Sequence, residues 1–158
     1  MHLPLENRSR PVPRPLRGAM RLLHALGHST LIEFPLKSGR RADIFALGQA
    51  GEIWIVEVKS GVPDFRCDRK WPEYREWCDR LFFAVGPEFP QDILPPDVGI
   101  LIADEYEAIV LSDAEAMPLP SARRKALTLR FAHLAARRLY TPDDFLIGDA
   151  DISRFALD

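Results

Sequence analysis

The chain has 158 residues, 47% of them hydrophobic and 28% charged, with a formal net charge of −2. That balance fits one globular domain with its own core and argues against both a disordered chain and a uniformly basic nucleic-acid binder. No apolar run approaches the roughly 18 residues of a membrane span, and Met1-His2-Leu3-Pro4-Leu5-Glu6 lacks the apolar segment of a signal peptide, so the expectation is a cytoplasmic protein with no membrane partner.

Residues 1–14, with prolines at 4, 11 and 13 and arginines at 8, 10 and 14, read as a mobile basic arm. A domain over residues 15–140 follows. Pro15 to Gly27 predicts a first helix, with proline suited to its first turn and glycine to its stop; Met20, Leu23, Ala25 and Leu26 supply its apolar side. Ser29 to Leu36 predicts a strand, ended by Lys37-Ser38-Gly39. Arg41–Leu47 and Glu52–Lys59 predict two more, close enough across Gly48-Gln49-Ala50-Gly51 to form a hairpin.

Asp64 is a good N-cap for a helix reaching about Asp79, in which Cys67, Trp71, Tyr74 and Cys78 form one apolar stripe. Pro72 inside that pattern predicts a kink, or a late helix start near Lys70. Leu81–Val85 is wholly apolar and suits a central strand. Gly86 to Pro96 holds four prolines and reads as a loop. Val98–Ala103 and Ala108–Leu111 read as two strands about the turn Asp104-Glu105-Tyr106-Glu107, and Ser121 as the cap of a last helix through Leu139. Residues 141–158, with five Asp and one Arg, form an acidic tail, packed on the domain or mobile. The order helix, three strands, helix, strand, then a hairpin and helix, predicts an α/β domain with a mixed central sheet flanked by helices.

Charge is unevenly placed. Residues 121–140 carry five Arg and one Lys with no acid, whereas residues 86–115 carry eight acids and no Lys or Arg. The surface is therefore expected to have a basic and an acidic side. Cys67 and Cys78, eleven residues apart on one helix, would have Cα atoms about 16 Å apart, too far for a disulfide. They read as reduced, buried small side chains. No zinc-ligand spacing accompanies them, and no Walker or glycine-rich dinucleotide motif occurs, so no nucleotide cofactor is expected.

The chemistry concentrates in two adjacent strands. Asp43 lies in the apolar run after Gly39-Arg40-Arg41, and Glu57-Val58-Lys59 ends the run Ile53-Trp54-Ile55-Val56. Alternation places Glu57 and Lys59 on one face of their strand. Charged groups at the end of a buried run need each other, water or a metal. With Asp43 on the neighbouring strand, two carboxylates and an ammonium are expected to converge. Two hard oxygen ligands can hold Mg²⁺, and a lysine beside them can stabilise developing negative charge.

Asp43, Glu57 and Lys59 resemble the signature of the PD-(D/E)XK nuclease superfamily, with Ala42 in place of its proline. The wider pattern is similar to the MmcB-like family, a bacterial family of small proteins assigned to DNA repair and placed in that superfamily. It comprises Gly39-Arg40-Arg41-Ala42-Asp43, Val56-Glu57-Val58-Lys59-Ser60-Gly61, Asp64 through Trp71, and Tyr74. The resemblance spans about residues 15–140. It implies a restriction-endonuclease-like core and Mg²⁺- or Mn²⁺-dependent phosphodiester hydrolysis on DNA. Asp43, Glu57 and the Val58 carbonyl would hold the metal, and Lys59 would position water or stabilise charge.

Glu33, Asp68 and Lys70 are accessory candidates; outward strand or helix-end positions explain Glu33 and Asp68 equally simply. Trp71 and Tyr74 read as core rather than base-stacking. Ser60 either bonds a phosphate or closes the strand end. Arg123, Arg130 and Arg137 recur every seven residues on the last helix, an all-arginine line that suits phosphates. Arg40 and Arg41, beside Asp43, are the remaining DNA-contact candidates. The alternative to an enzyme is a DNA-binding or protein-recruiting repair module on the same fold, with DNA and other repair proteins as partners.

Overall fold

The computed structural model describes residues 14–140; the expected basic arm and acidic tail lie outside those residues. Helix α1 (Arg14–Ala25) precedes three strands, β1 (Ser29–Pro35), β2 (Arg41–Leu47) and β3 (Ile53–Lys59). A short helix α2 (Val62–Cys67) and a 3-10 helix (Trp71–Trp77) lead to β4 (Arg80–Val85). Strands β5 (Gly99–Ala103) and β6 (Ala108–Ser112) and helix α3 (Ser121–Leu139) complete the order, with a single 3-10 turn, Gln91–Ile93, in the proline-rich loop.

The six strands form one open sheet in sequence order. β2 is antiparallel to both β1 and β3, β4 and β5 continue parallel to β3, and β6 is antiparallel to β5. This is the expected mixed α/β sheet flanked by helices, consistent with a restriction-endonuclease-like core. The parallel centre explains the composition of β3 and β4, which are buried on both faces and so read as continuous apolar runs.

Each face of the sheet has its own core. On one, α1 brings Ala19 and Leu23 against Ile44, Val56, Phe82 and Leu101. On the other, Phe34, Phe45, Ile55 and Phe83 pack with Tyr74 and Leu127, and Phe131 of α3 joins them. α1 stops where the sequence predicts. Gly27 has φ 85, its N–H donates to His24 O, and the His28 N–H donates to Leu23 O. That pair of bonds closes the last turn and requires a left-handed residue, which glycine adopts without steric cost. Gly18 serves a different need: its N–H donates to Asp104 O, and a Cβ there would lie 2.3 Å from Glu107 O. Only a glycine lets α1 sit this close to the β5–β6 turn.

Two local expectations are corrected. The continuous helix from Asp64 to Asp79 is broken: α2 ends at Cys67, and Asp68–Lys70 separate it from the 3-10 helix. Pro72 has no N–H to continue an α-helix from before it and stands instead in the first turn of the 3-10 helix, where none is needed, while Asp68 draws the Lys70 N–H onto its own carboxylate. The cysteines therefore do not share a helix face. Cys78 is buried, with its thiol pushed up to about 12 by burial, whereas Cys67 is exposed; both are free. Asp64 and Ser121 are not N-caps either. Asp64 lies inside the first turn of α2, and the cap position of α3 is Pro120.

One buried acid was not singled out by the sequence. Asp79, 5% exposed, accepts the N–H groups of Ile53 and Leu119 and a two-nitrogen contact from Arg124. Burial alone would raise its carboxyl, but these donors hold it below the ordinary range. It ties β3, the segment before α3, and α3 together at the end of the sheet away from the carboxylates described next.

Candidate metal and nucleic-acid site

The regular pairing of β2 with β3 ends at Ile44 and Val56. Beyond it, the side chains take over from the backbone. The Asp43 N–H donates to Glu57 Oε1 at 3.1 Å, and the Val58 N–H donates to Asp43 Oδ2 at 2.8 Å. Each carboxylate thus stands where a ladder carbonyl would have been, and the two acids are locked against one another across adjacent strands. A cavity of about 310 Å³ opens over them, lined by Leu16, Glu33, Asp43, Glu57, Val58 and Lys59 among others.

Glu57 is 4% exposed, and its carboxyl is pushed up from 4.5 to about 9. Burial is the main cause and the Asp43 charge the second; the Asp43 N–H and the Lys59 ammonium oppose them. Asp43 is also raised, first by burial, against the Val58 N–H and Lys59. Both acids are raised by burial, Glu57 further by the Asp43 charge and Asp43 by that of Glu33, and the pocket is left with a deficit of positive charge, which a proton or a cation fills. Hard oxygen donors of this kind suit Mg²⁺ or Mn²⁺. Among the described residues no three His, Cys, Asp or Glu side chains converge to hold a metal. The two carboxylates share the cavity wall with Val58, and Mg²⁺, which commonly keeps several waters, would fit so sparse a set.

Lys59 differs from the expectation. It is 5% exposed on the same strand face as Glu57, but its ammonium lies 2.5 Å from Asp68 Oδ2 rather than on the paired acids. Phe83 lies beneath it, with the ring centroid 5.9 Å from Nζ. Asp68, at the C-terminal cap of α2, also accepts the Lys70 N–H. Burial would raise its carboxyl, but the Lys59 hydrogen bond and the backbone donors bring it below the ordinary range. The break in the helix is what places Asp68 there. In an uninterrupted helix residue 68 would not have been the cap residue.

Glu33 lies opposite Asp43, at the position that the β1–β2 register skips, and has φ 50. A glutamate in this left-handed region is strained, and such strain gathers at functional sites. Its carboxylate pairs with Arg41 at 3.1 Å at the edge of the cavity. Arg138, which the sequence reading passed over, holds the kink by donating to the carbonyls of Ile32 and Glu33. Arg40 pairs with Glu73 and, with Lys59, Asp68, Lys70 and Tyr74, lines a second hollow of about 350 Å³ on the other side of Lys59. Tyr74 is core, as expected, and its hydroxyl donates to Arg41 O, fixing the start of β2. Ser60 closes the strand end: its N–H and hydroxyl both donate to Asp64 Oδ2.

Two of the three candidate arginines of α3 are engaged within the fold. Arg123 donates to Glu76 O and stacks over Trp77 at 4.7 Å, Arg130 donates to Pro35 O, and Arg137 is exposed. Each guanidinium has five N–H donors, so these single bonds leave most of them available. Trp77 was not considered from the sequence, although it continues the Trp71–Tyr74 spacing by three.

The solved structure of a protein of unknown function from Silicibacter pomeroyi, SPO1766, is similar to the chain at 48% identity. The match covers 81% of this chain and 89% of that one, with a TM-score of 0.77. No curated protein matches. Among the described residues no helix is long and apolar enough to cross a membrane. A family described as DNA repair protein MmcB-like matches residues 10–144, the whole length over which these elements are built, and the chain belongs to that MmcB-like DNA-repair family.

Proposed function

We propose that the protein is a metal-dependent DNA nuclease of the PD-(D/E)XK type acting in DNA repair. The observation that carries the reading is the buried Asp43–Glu57 pair, held by reciprocal backbone hydrogen bonds at the mouth of a cavity and short of positive charge. Family membership supports DNA as the substrate. Asp43, Glu57 and the Val58 carbonyl hold Mg²⁺ or Mn²⁺, which when bound supplies Lewis acidity toward the phosphodiester. The Asp43 and Val58 N–H groups fix the two carboxylates so that neither swings away when a cation arrives. Lys59 supplies an N–H donor for the charge developing on the phosphoryl oxygens, in a pocket where such a donor acts strongly. Arg41, paired with Glu33 at the edge of the cavity, and Arg40 and Lys70, in the neighbouring hollow that shares Lys59, contact the flanking phosphates.

A second reading rests on Lys59. Its ammonium is engaged by Asp68, away from the paired acids, as suits a DNA-binding or protein-recruiting module that keeps the fold without cleavage. The two separate in one experiment: a panel of DNA structures is incubated with wild type and with Lys59→Ala, with Mg²⁺ or Mn²⁺. The nuclease reading expects cleavage by wild type, none by Lys59→Ala, and DNA affinities within about twofold of each other, because one charge is a small part of a multi-phosphate contact. Binding without cleavage under either metal would select the module.

A further inference from the structure

The hollow with the largest volume among those described lies away from the carboxylates. It measures about 530 Å³ and sits between the 3-10 helix and α3, lined by Lys37, Trp77, Arg123, Ala126, Leu127 and Arg130 among others, none of them acidic. A second hollow of about 370 Å³ continues along α3 and shares Arg130, adding His133 and Arg137. The all-arginine line of α3 is therefore the common wall of two adjoining hollows, a basic track about 21 Å long from Arg123 to Arg137 at the rise of an α-helix. Its wider end has a recessed apolar floor of Trp77, Ala126 and Leu127.

We propose that this track binds a single strand of nucleic acid, with an unpaired base lodged in the hollow between Trp77 and α3 and the adjoining phosphates on Lys37, Arg123 and Arg130. The proposal deepens the DNA reading above and rests on it. The charge complementarity is one-sided: three cations and no acid surround the cavity. At the start of α3 no side chain caps the helix, so its first N–H groups add to the positive potential there. The apolar, recessed floor separates single strand from duplex. A duplex offers this face only sugar and phosphate, which leaves the floor unfilled, whereas an unstacked base brings a flat apolar surface. The Arg123 guanidinium already lies over the Trp77 ring at 4.7 Å. Aromatic rings and guanidinium planes are the surfaces on which single-stranded bases stack.

Fluorescence anisotropy with labelled oligo-dT and with a blunt duplex of equal length tests the inference on the full chain. Arg123→Ala and Lys37→Ala are each expected to lower oligo-dT affinity about tenfold while changing duplex affinity less than about threefold. Lys125→Ala removes a charge from the same helix outside the hollow and is expected to change both affinities by less than about threefold. Oligo-dT should quench the intrinsic tryptophan fluorescence of wild type, and Trp77→Phe, which keeps a ring in the core, should lose most of that quenching. Equal losses for single strand and duplex, or single-strand binding untouched by Arg123→Ala and Lys37→Ala, would overturn the track while leaving the DNA reading in place. Binding of neither DNA by wild type would overturn both.

Discussion

Glu57→Gln should stabilise the protein in the absence of metal, by an amount that grows with pH. The amide keeps an oxygen to accept the Asp43 N–H and is neutral in its buried site without taking up a proton. In the wild-type fold the Glu57 carboxyl lies near 9, against 4.5 ordinarily, so between those values the folded state holds a proton that the unfolded state has released. Stability then falls as pH rises, with a slope of one proton. From about pH 6 to about pH 8 the loss is about 2.7 kcal/mol, at about 1.4 kcal/mol per pH unit. The variant has no such proton, and its advantage should widen by that amount, on the order of 5–10 °C in Tm for a domain of this size. Urea unfolding followed by tryptophan fluorescence at both pH values measures it directly. Excess Mg²⁺ should close the gap at the higher pH by stabilising wild type, since the cation takes the proton's place, and should do little for the variant. Parallel stability–pH profiles for the two proteins would refute the reasoning, because they would mean that Glu57 is ionised and solvated in the fold.

Without denaturant, a thiol reagent should modify Cys67 rapidly and Cys78 only on unfolding, and both should titrate as free thiols in denaturant without reductant; a single fast thiol count of two would contradict the buried position of Cys78. Asp79→Ala should cost about 3–5 kcal/mol, since it strands the Arg124 guanidinium and two buried backbone N–H groups together; a loss under about 1 kcal/mol in urea unfolding would show that water replaces the acid. Gly18→Ala should destabilise by at least about 1 kcal/mol although alanine is the better helix former, because its Cβ would meet the Glu107 and Asp104 carbonyls; a stabilised variant would mean that α1 does not approach the β5–β6 turn so closely.

The sheet was legible because its signals are local. β2, β3 and β4 carry runs of large apolar residues that only a doubly covered strand needs, and Gly39 and Gly51 stand before β2 and β3 where the backbone turns left-handed. The acidic pair was legible for the same reason: strand alternation with a short hairpin leaves Asp43 and Glu57 little choice but to meet. The connection after β3 was not. Cys67, Trp71, Tyr74 and Cys78 keep helical spacing through a segment that is half helix, half 3-10 turn; the three-residue period of the 3-10 helix turns Trp71 and Tyr74 inward much as an α-helix would, while Cys67, on the separate α2, is left exposed. The partner of Lys59 was unreadable for that reason, since the break alone brings Asp68 to it. The roles of Arg124 and Arg138 depend on contacts with residues 45 and about a hundred positions away in the chain, and no local pattern announces those.

The hydrogen bonds of Asp43 and Glu57 bear on why both are acids. Replacing either by alanine would leave a backbone N–H at the end of the β2–β3 ladder without its acceptor, at about 1–3 kcal/mol each. Asparagine or glutamine would not, because an amide oxygen accepts the same bond and escapes the desolvation that raises both carboxyls. On structural grounds alone the amides serve this position better than the acids do. The charge is thus an added burden on the fold, unexplained by the hydrogen bonds it makes, and it faces a cavity with Glu33 and Lys59 in its wall. Cation binding is a use that offsets the burden, since it is the one property that the amides lack. Asp43→Asn and Glu57→Gln therefore divide the two roles cleanly. Both should fold at least as well as wild type, and both should lose the stabilisation that Mg²⁺ or Mn²⁺ gives it. If the amides bind the metal as tightly as the acids do, the charge has no such use, and the case for a metal at this site falls with it.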